Sequence, residues 1–122
     1  MILHIALYKF QPDTNSFQIE QCVHELKRST SETGLATNYL GGQHILLPAD
    51  KAVPHIVYDY GAIWMFPDME TIETFSRHPI MVQCVSLYVQ PIMQRLAIIN
   101  FDSSSSTLET FFEAPGNRHV PK

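Results

Sequence analysis

The stretch Phe66-Pro67-Asp68-Met69-Glu70-Thr71-Ile72-Glu73-Thr74-Phe75-Ser76-Arg77-His78-Pro79 decides how this chain folds. It reads as a strand end, a capped short helix, and a His-Pro corner that opens a second helix. Asp68 suits the cap, because a carboxylate there accepts from unpaired amides and complements the positive helix end. Met69, Ile72 and Phe75 follow at three-residue spacing on one face. Pro79 fits the first turn of the next helix, where its missing N–H costs nothing, and this leaves His78 at the N-cap.

Outward from this stretch the pattern is regular. Residues 3–10 form a β-rich run, with His4, Ala6, Tyr8 and Phe10 on one face and Leu3, Ile5 and Leu7 on the other. Both faces are apolar, so both are expected to be covered. Asn15 with Gln18 forms a capping-box start, and Ile19, Cys22, Val23 and Leu26 mark an amphipathic helix to about Ser29. Residues 35–47 read as a second strand, with Gly41-Gly42 suggesting a bulge or a close backbone approach. After a polar turn at 48–54, residues 56–66 read as a third strand. Beyond the Asp68 helix comes a helix from Pro79 to about Gln94, with Pro91 kinking or shortening it. Residues 96–101 form a last strand.

The order β-α-β-β-α-β predicts an α+β, ferredoxin-like fold with its second helix broken at His78-Pro79. An open four-stranded sheet of that kind leaves one face bare, and homodimerisation is the simplest way to bury it. Residues 1–102 make this domain. Residues 103–122 form a tail whose Leu108, Phe111 and Phe112 are expected to dock on the body or on a partner subunit.

Composition narrows the function. The 122 residues carry 45% hydrophobic and 16% charged side chains, which is globular. A net charge of −4 without a basic cluster argues against nucleic acid and anionic membranes as partners. No apolar run approaches a membrane span, and the N-terminal strand, with His4 and Lys9 inside it, does not read as a signal peptide. Cytoplasmic location follows as the default. Cys22 and Cys84, both on apolar helical positions, are expected to be reduced.

His4 in Leu3-His4-Ile5-Ala6-Leu7-Tyr8-Lys9-Phe10, Gly42, Asp59-Tyr60, Phe66-Pro67-Asp68, Phe75-Ser76-Arg77-His78-Pro79 and Ile98-Ile99-Asn100-Phe101-Asp102 occur in an order that resembles the dimeric α/β-barrel (Dabb, stress-responsive A/B barrel) family. The resemblance covers about residues 1–102. It implies a dimeric α/β barrel and, through a plant polyketide cyclase in that family, a cofactor-free pocket between sheet and helices. That cyclase is regarded as using a Tyr and a His, at the positions that here hold Phe75 and Met81. Phe has no hydroxyl and Met carries no proton, so that pair does not operate in this chain. Related α/β barrels also include haem-degrading enzymes with an axial His, which leaves haem as a minor alternative, although no histidine here is singled out for it.

Candidate chemistry therefore rests on other residues. His4, mid-strand among apolar neighbours, is either a hydrogen-bonded core histidine or a base facing a cavity. His78 is either a helix-cap residue or an acid-base group. Tyr60, if on the His4 face, pairs with His4 to polarise a ligand carbonyl or phenol; otherwise it is a strand tyrosine reaching solvent. Tyr8, Ala62, Trp64, Phe75 and Met81 are the candidate pocket wall. Asp59 reads as a dimer-rim or turn-pairing residue. The six histidines show no i, i+4 pair and no metal-ligand spacing, and no Gly-rich phosphate loop or nucleophile elbow is present, so neither a metal nor a nucleotide cofactor is expected. Two readings stand. One is a cofactor-independent enzyme, of cyclase or lyase type, or a binding protein for a small apolar, aromatic or polyketide-like molecule. The other is a non-catalytic stress-responsive dimeric barrel.

Overall fold

The computed structural model describes residues 1–52 and 57–103. Strands β1 (Ile2–Phe10), β2 (Asn38–Gln43), β3 (Tyr60–Phe66) and β4 (Met93–Asp102) form one antiparallel sheet in the order β2-β3-β1-β4. Helices α1 (Ser16–Thr33), α2 (Met69–Arg77) and α3 (Pro79–Cys84) pack on one side of it. This is the ferredoxin-like fold, with the second helical segment broken at His78-Pro79 as the sequence predicts. The expected docking of Leu108, Phe111 and Phe112 lies outside the described residues.

Local chemistry sets the helix ends. Asn15 and Gln18 form a reciprocal capping box, each side chain bonding the other's backbone N–H at 2.8–2.9 Å. Gly34 closes α1 in the left-handed region, at φ +66°, which a side chain would strain. Asp68 accepts from the Thr71 amide at 2.8 Å and from its hydroxyl. His78 is extended (φ −62°, ψ 130°), the conformation that a following proline imposes.

Several boundaries differ from the sequence reading. Helix α1 runs four residues beyond Ser29. Strand β2 stops at Gln43, and Ile45, Leu46 and Leu47 are exposed, because β3 begins only at Tyr60 and offers those residues no ladder partner. Gly41 and Gly42 sit in regular register opposite Ala62 and Gly61 rather than in a bulge. The close approach is real at Gly41 alone: a Cβ there would overlap the Tyr60 hydroxyl and lie 2.9 Å from its Cζ. The helix from Pro79 is α-helical only to Cys84. It continues as a π turn, Val85–Val89, in which Gln90 N–H bonds back to Val85 C=O, then as a 3₁₀ turn over Gln90–Ile92. Pro91 supplies the cause, since its ring cannot sit in a regular α turn and it has no N–H to give. Met69 is exposed, unlike Ile72 and Phe75, because it occupies the first turn next to the cap.

Alternation sorts the sheet into two faces. Ile2, Ala6, Tyr8, Phe10, Tyr60, Ala62, Trp64 and Phe66 point inward and meet Cys22 and Leu26 of α1, Ile72 and Phe75 of α2, and Met81 and Cys84 of α3. Phe66, with no exposed surface, contributes roughly 1.5–3 kcal/mol by burial alone. The helices leave the inner side of β4 open, where Leu96 and Ile98 are about half exposed. Among the described residues, no helix lies on the outer face. Leu40, Ile63, Ile99 and Phe101 are exposed there, level with Leu3, Ile5 and Leu7.

Candidate functional site

One row of the inner face, read across the sheet through paired residues, is Asn100, His4, Trp64 and Tyr39. Period-two alternation on β1 places His4 inward, and antiparallel register brings Asn100 of β4 beside it. His4 Nδ1 and Asn100 Oδ1 are 2.6 Å apart. With Asn100 presenting its oxygen, Nδ1 is the donor of this bond, and in the neutral ring the lone pair then lies on Nε2. The His4 ring lies 5.3 Å from Trp64 and 6.4 Å from Phe66, centroid to centroid. Trp64 is held in turn: its indole N–H donates to Thr30 Oγ1 of α1 at 2.9 Å, and Phe75 packs 6.3 Å away. The rotamer of Trp64 is thus fixed from both sides.

His4 stands on the wall of a cavity of about 460 Å³ between the β1–β4 half of the sheet and the α2–α3 segment. Of the candidates from the sequence, His4, Tyr8, Trp64, Phe75 and Met81 line it. Phe75 and Met81 therefore face one space, and both are buried. Val85 and Val89 of the π turn and Leu96 and Ile98 of β4 extend the apolar wall. No Lys, Arg, Asp or Glu is among the lining residues, and His4 and Tyr8 are their only ionisable side chains. Burial, followed by the charges that Cys22, Tyr60 and Cys84 would carry, raises the Tyr8 pKa far above the ordinary phenol value, so Tyr8 stays protonated and acts as a hydrogen-bonding group.

Three candidates do not line this cavity. Tyr60 is inward and level with Tyr8, 6.0 Å away between ring centroids, but its hydroxyl reaches over Gly41 toward β2. Ala62 is buried in the sheet centre between Ala6 and Gly41. His78 sits at the α2–α3 corner, where its Nδ1 accepts from the Ile80 amide at 3.2 Å. That nitrogen is committed to the cap, and the ring lies beside Glu70, Glu73 and Arg77 in a surface depression. Asp59 is a turn-pairing residue: its carboxylate accepts from Phe10 N–H at 2.9 Å, and its own N–H donates to Tyr8 C=O at 2.7 Å.

Asn100 has no role in the sequence reading, although it sits in a quoted motif. Its signal is a polar residue continuing the Leu96, Ile98 alternation, on the face that carries His4. Among the described residues, no cluster of His, Cys, Asp or Glu is placed to hold a metal.

No family model matches the sequence, and a search of curated proteins finds no match. Solved structures do match. A dimeric ferredoxin-like protein of unknown function from Thermobifida fusca is 20% identical with a TM-score of 0.70, covering 84% of this chain and 90% of its own. A Dabb family protein with a ferredoxin-like fold from Mesorhizobium loti is 18% identical with a TM-score of 0.70, covering 84% and 96%. A hydroxynitrile lyase from Passiflora edulis is 10% identical with a TM-score of 0.72, covering 84% and 93%. The fold is thus that of the ferredoxin-like dimeric barrels, some of which are enzymes and some of which are described as dimeric. No helix among the described residues is long and apolar enough to cross a membrane.

Proposed function

We propose that this protein binds an uncharged, ring-bearing small molecule in the His4 cavity and acts on it without a cofactor, with His4 as general base. The observation that carries the reading is the His4–Asn100 pair beside a wall that holds no charged side chain, its polar members besides His4 being Tyr8, Ser76, Ser86 and Gln90. Asn100 accepts from Nδ1 and so orients the ring, which leaves Nε2 to present a lone pair in the neutral form. Trp64 and Phe75 supply flat surfaces for a ring. The lack of charged lining residues argues against carboxylates and phosphates, which would lose their hydration and find no counter-charge. A base of this kind removes a proton from a hydroxyl or from a carbon next to a carbonyl, the step shared by lyase and aldol-type cyclase reactions. Tyr8 is available to hydrogen-bond a ligand oxygen. His78 and Tyr60 take structural places in this mechanism.

The chain works, on this reading, as a homodimer joined through the open face of its sheet, where exposed Ile63, Ile99 and Phe101 would otherwise meet water. Cytoplasmic location fits two buried free cysteines.

The second reading, a non-catalytic dimeric barrel, is favoured by Phe75 and Met81 at the cyclase pair's positions. Thermal shift separates the two. Benzaldehyde, phenol and resorcinol should raise Tm, by roughly 2.7 kcal/mol of stabilisation at a hundredfold excess over Kd, and benzoate should not. If no neutral aromatic shifts Tm, the non-catalytic reading stands.

A further inference from the structure

The His4 cavity runs along β1. His4, Ala6 and Tyr8 follow one another on its wall, so His4 and Tyr8 mark two ends roughly 13 Å apart along the strand. Register on β4 repeats that order, with Asn100 beside His4, Ile98 beside Ala6 and Leu96 beside Tyr8. The helical wall follows the same line. At one end Phe75 packs on Trp64, the partner of His4 in β3. At the other, Gln11 N–H donates to Ile92 C=O at 2.7 Å, which ties the 3₁₀ turn Gln90–Ile92 to the end of β1. Gln90 therefore stands at the Tyr8 end, and it borders the cavity from an exposed position. Its place is set by the π turn, whose last bond runs from Gln90 N–H to Val85 C=O, a helix distortion found mostly at functional sites.

We infer that this cavity takes a two-ended molecule, with a ring at His4 and a second uncharged hydrogen-bonding group held at the far end by Tyr8 and Gln90. The inference rests on the ligand site proposed above and names the shape of molecule that the site selects. Polar groups gather at the two ends, while Ala6 and Ile98 between them have none to offer. Ser76 is occupied by its own helix, since its hydroxyl donates to Ile72 C=O at 3.0 Å. Tyr8 is different: it is only 4% exposed, yet among the described residues its hydroxyl has no hydrogen-bond partner. A phenol and a carboxamide each donate and accept, so the pair matches a hydroxyl, a ketone or an amide equally well. A molecule that is polar at one end only would press an apolar end on Tyr8 and leave that hydroxyl unpaired, and this penalty is what makes such a site selective.

The experiment is calorimetric titration of the full chain with phenol, 4-phenylphenol and 4,4′-dihydroxybiphenyl. The last two differ only in the hydroxyl at the far end. Wild type should bind the diol about tenfold more tightly than 4-phenylphenol, the worth of one neutral hydrogen bond. That ratio should shrink in Gln90→Leu and in Tyr8→Phe. In the double variant it should fall to about two, the statistical advantage of a symmetrical diol. If none of the three binds, the ligand site proposed above fails. Phenol binding without either two-ring ligand, or with a wild-type ratio of about two or less, overturns the second polar end and leaves the ligand site standing. A tenfold ratio that persists in the double variant overturns the assignment to Tyr8 and Gln90. Should Tyr8→Phe fail to fold by circular dichroism, Gln90→Leu, at its exposed position, decides alone.

Discussion

Asn100 stands opposite His4 on the neighbouring strand, and its amide oxygen sets which ring nitrogen of His4 is free. This one contact orients the histidine that the proposed reading takes as the base. Asn100→Leu should therefore lower turnover of any accepted substrate by roughly tenfold to a hundredfold, the scale on which outer partners of functional histidines act. KM should move less than kcat. His4→Ala should remove the step, a loss of about a hundredfold or more, and His4→Asn should fail equally if proton transfer is the role. Retained activity in His4→Asn would assign His4 to structure alone.

The Phe75 and Met81 side chains face one cavity without an acid or base between them. Any product formed from a linear tetraketide above the protein-free background, as judged by chromatography, should depend on His4 and survive Met81→Ala. Product formed above that background, and lost in Met81→Ala, would show a cyclising route through this wall.

Burial, and then the neighbouring Cys84, pushes the Cys22 thiol up to about 12. Cys84 is also shifted upward, chiefly by burial. Neither thiol ionises appreciably at pH 8, so both should resist Ellman's reagent in the native state and react together after denaturation. Fast labelling of the folded protein would contradict the packing between α1 and α3.

Hydrogen bonds from the Thr71 hydroxyl and amide hold the Asp68 carboxyl below its ordinary value of 3.8. A depressed folded-state pKa contributes stability that is present above the unfolded value and fades as pH falls through the folded one. Asp68→Asn should keep the cap but flatten the stability profile below about pH 4. An unchanged acid profile would mean that the carboxylate carries no linkage.

Gly41→Ala should destabilise by about 1–3 kcal/mol, because the new methyl meets the Tyr60 ring and hydroxyl. Tyr60→Phe in the same chain should recover part of that loss, since it removes the hydroxyl but leaves Cζ close. Denaturant midpoints of the four proteins in this cycle give the coupling directly.

Much of the fold lies open in the sequence because its signals are local. The Asn15 and Asp68 caps, the His-Pro corner and the two-residue alternation of β1 depend on near neighbours, and all take the predicted form. The departures come where distant partners decide. Ile45, Leu46 and Leu47 have every strand preference, yet β3 offers them nothing to pair with. The π turn is set by a proline several residues downstream. At the candidate site, alternation places His4, Tyr8 and Trp64 correctly on one face. It cannot say that Tyr60, two residues from Ala62, turns its ring toward β2. Nor can it give Asn100 a role, for that residue meets His4 only through a pairing that spans nearly the whole domain.

Trp64 is the sole tryptophan of the chain, pinned by Thr30 on one side and bordering the cavity on the other. Its emission therefore comes from a single, fixed position beside the proposed base. Any molecule that enters will change that emission through one fluorophore, without labels or engineered reporters. Occupancy, entry rate and displacement by a competitor become optical quantities, measurable on unmodified protein before a substrate is known.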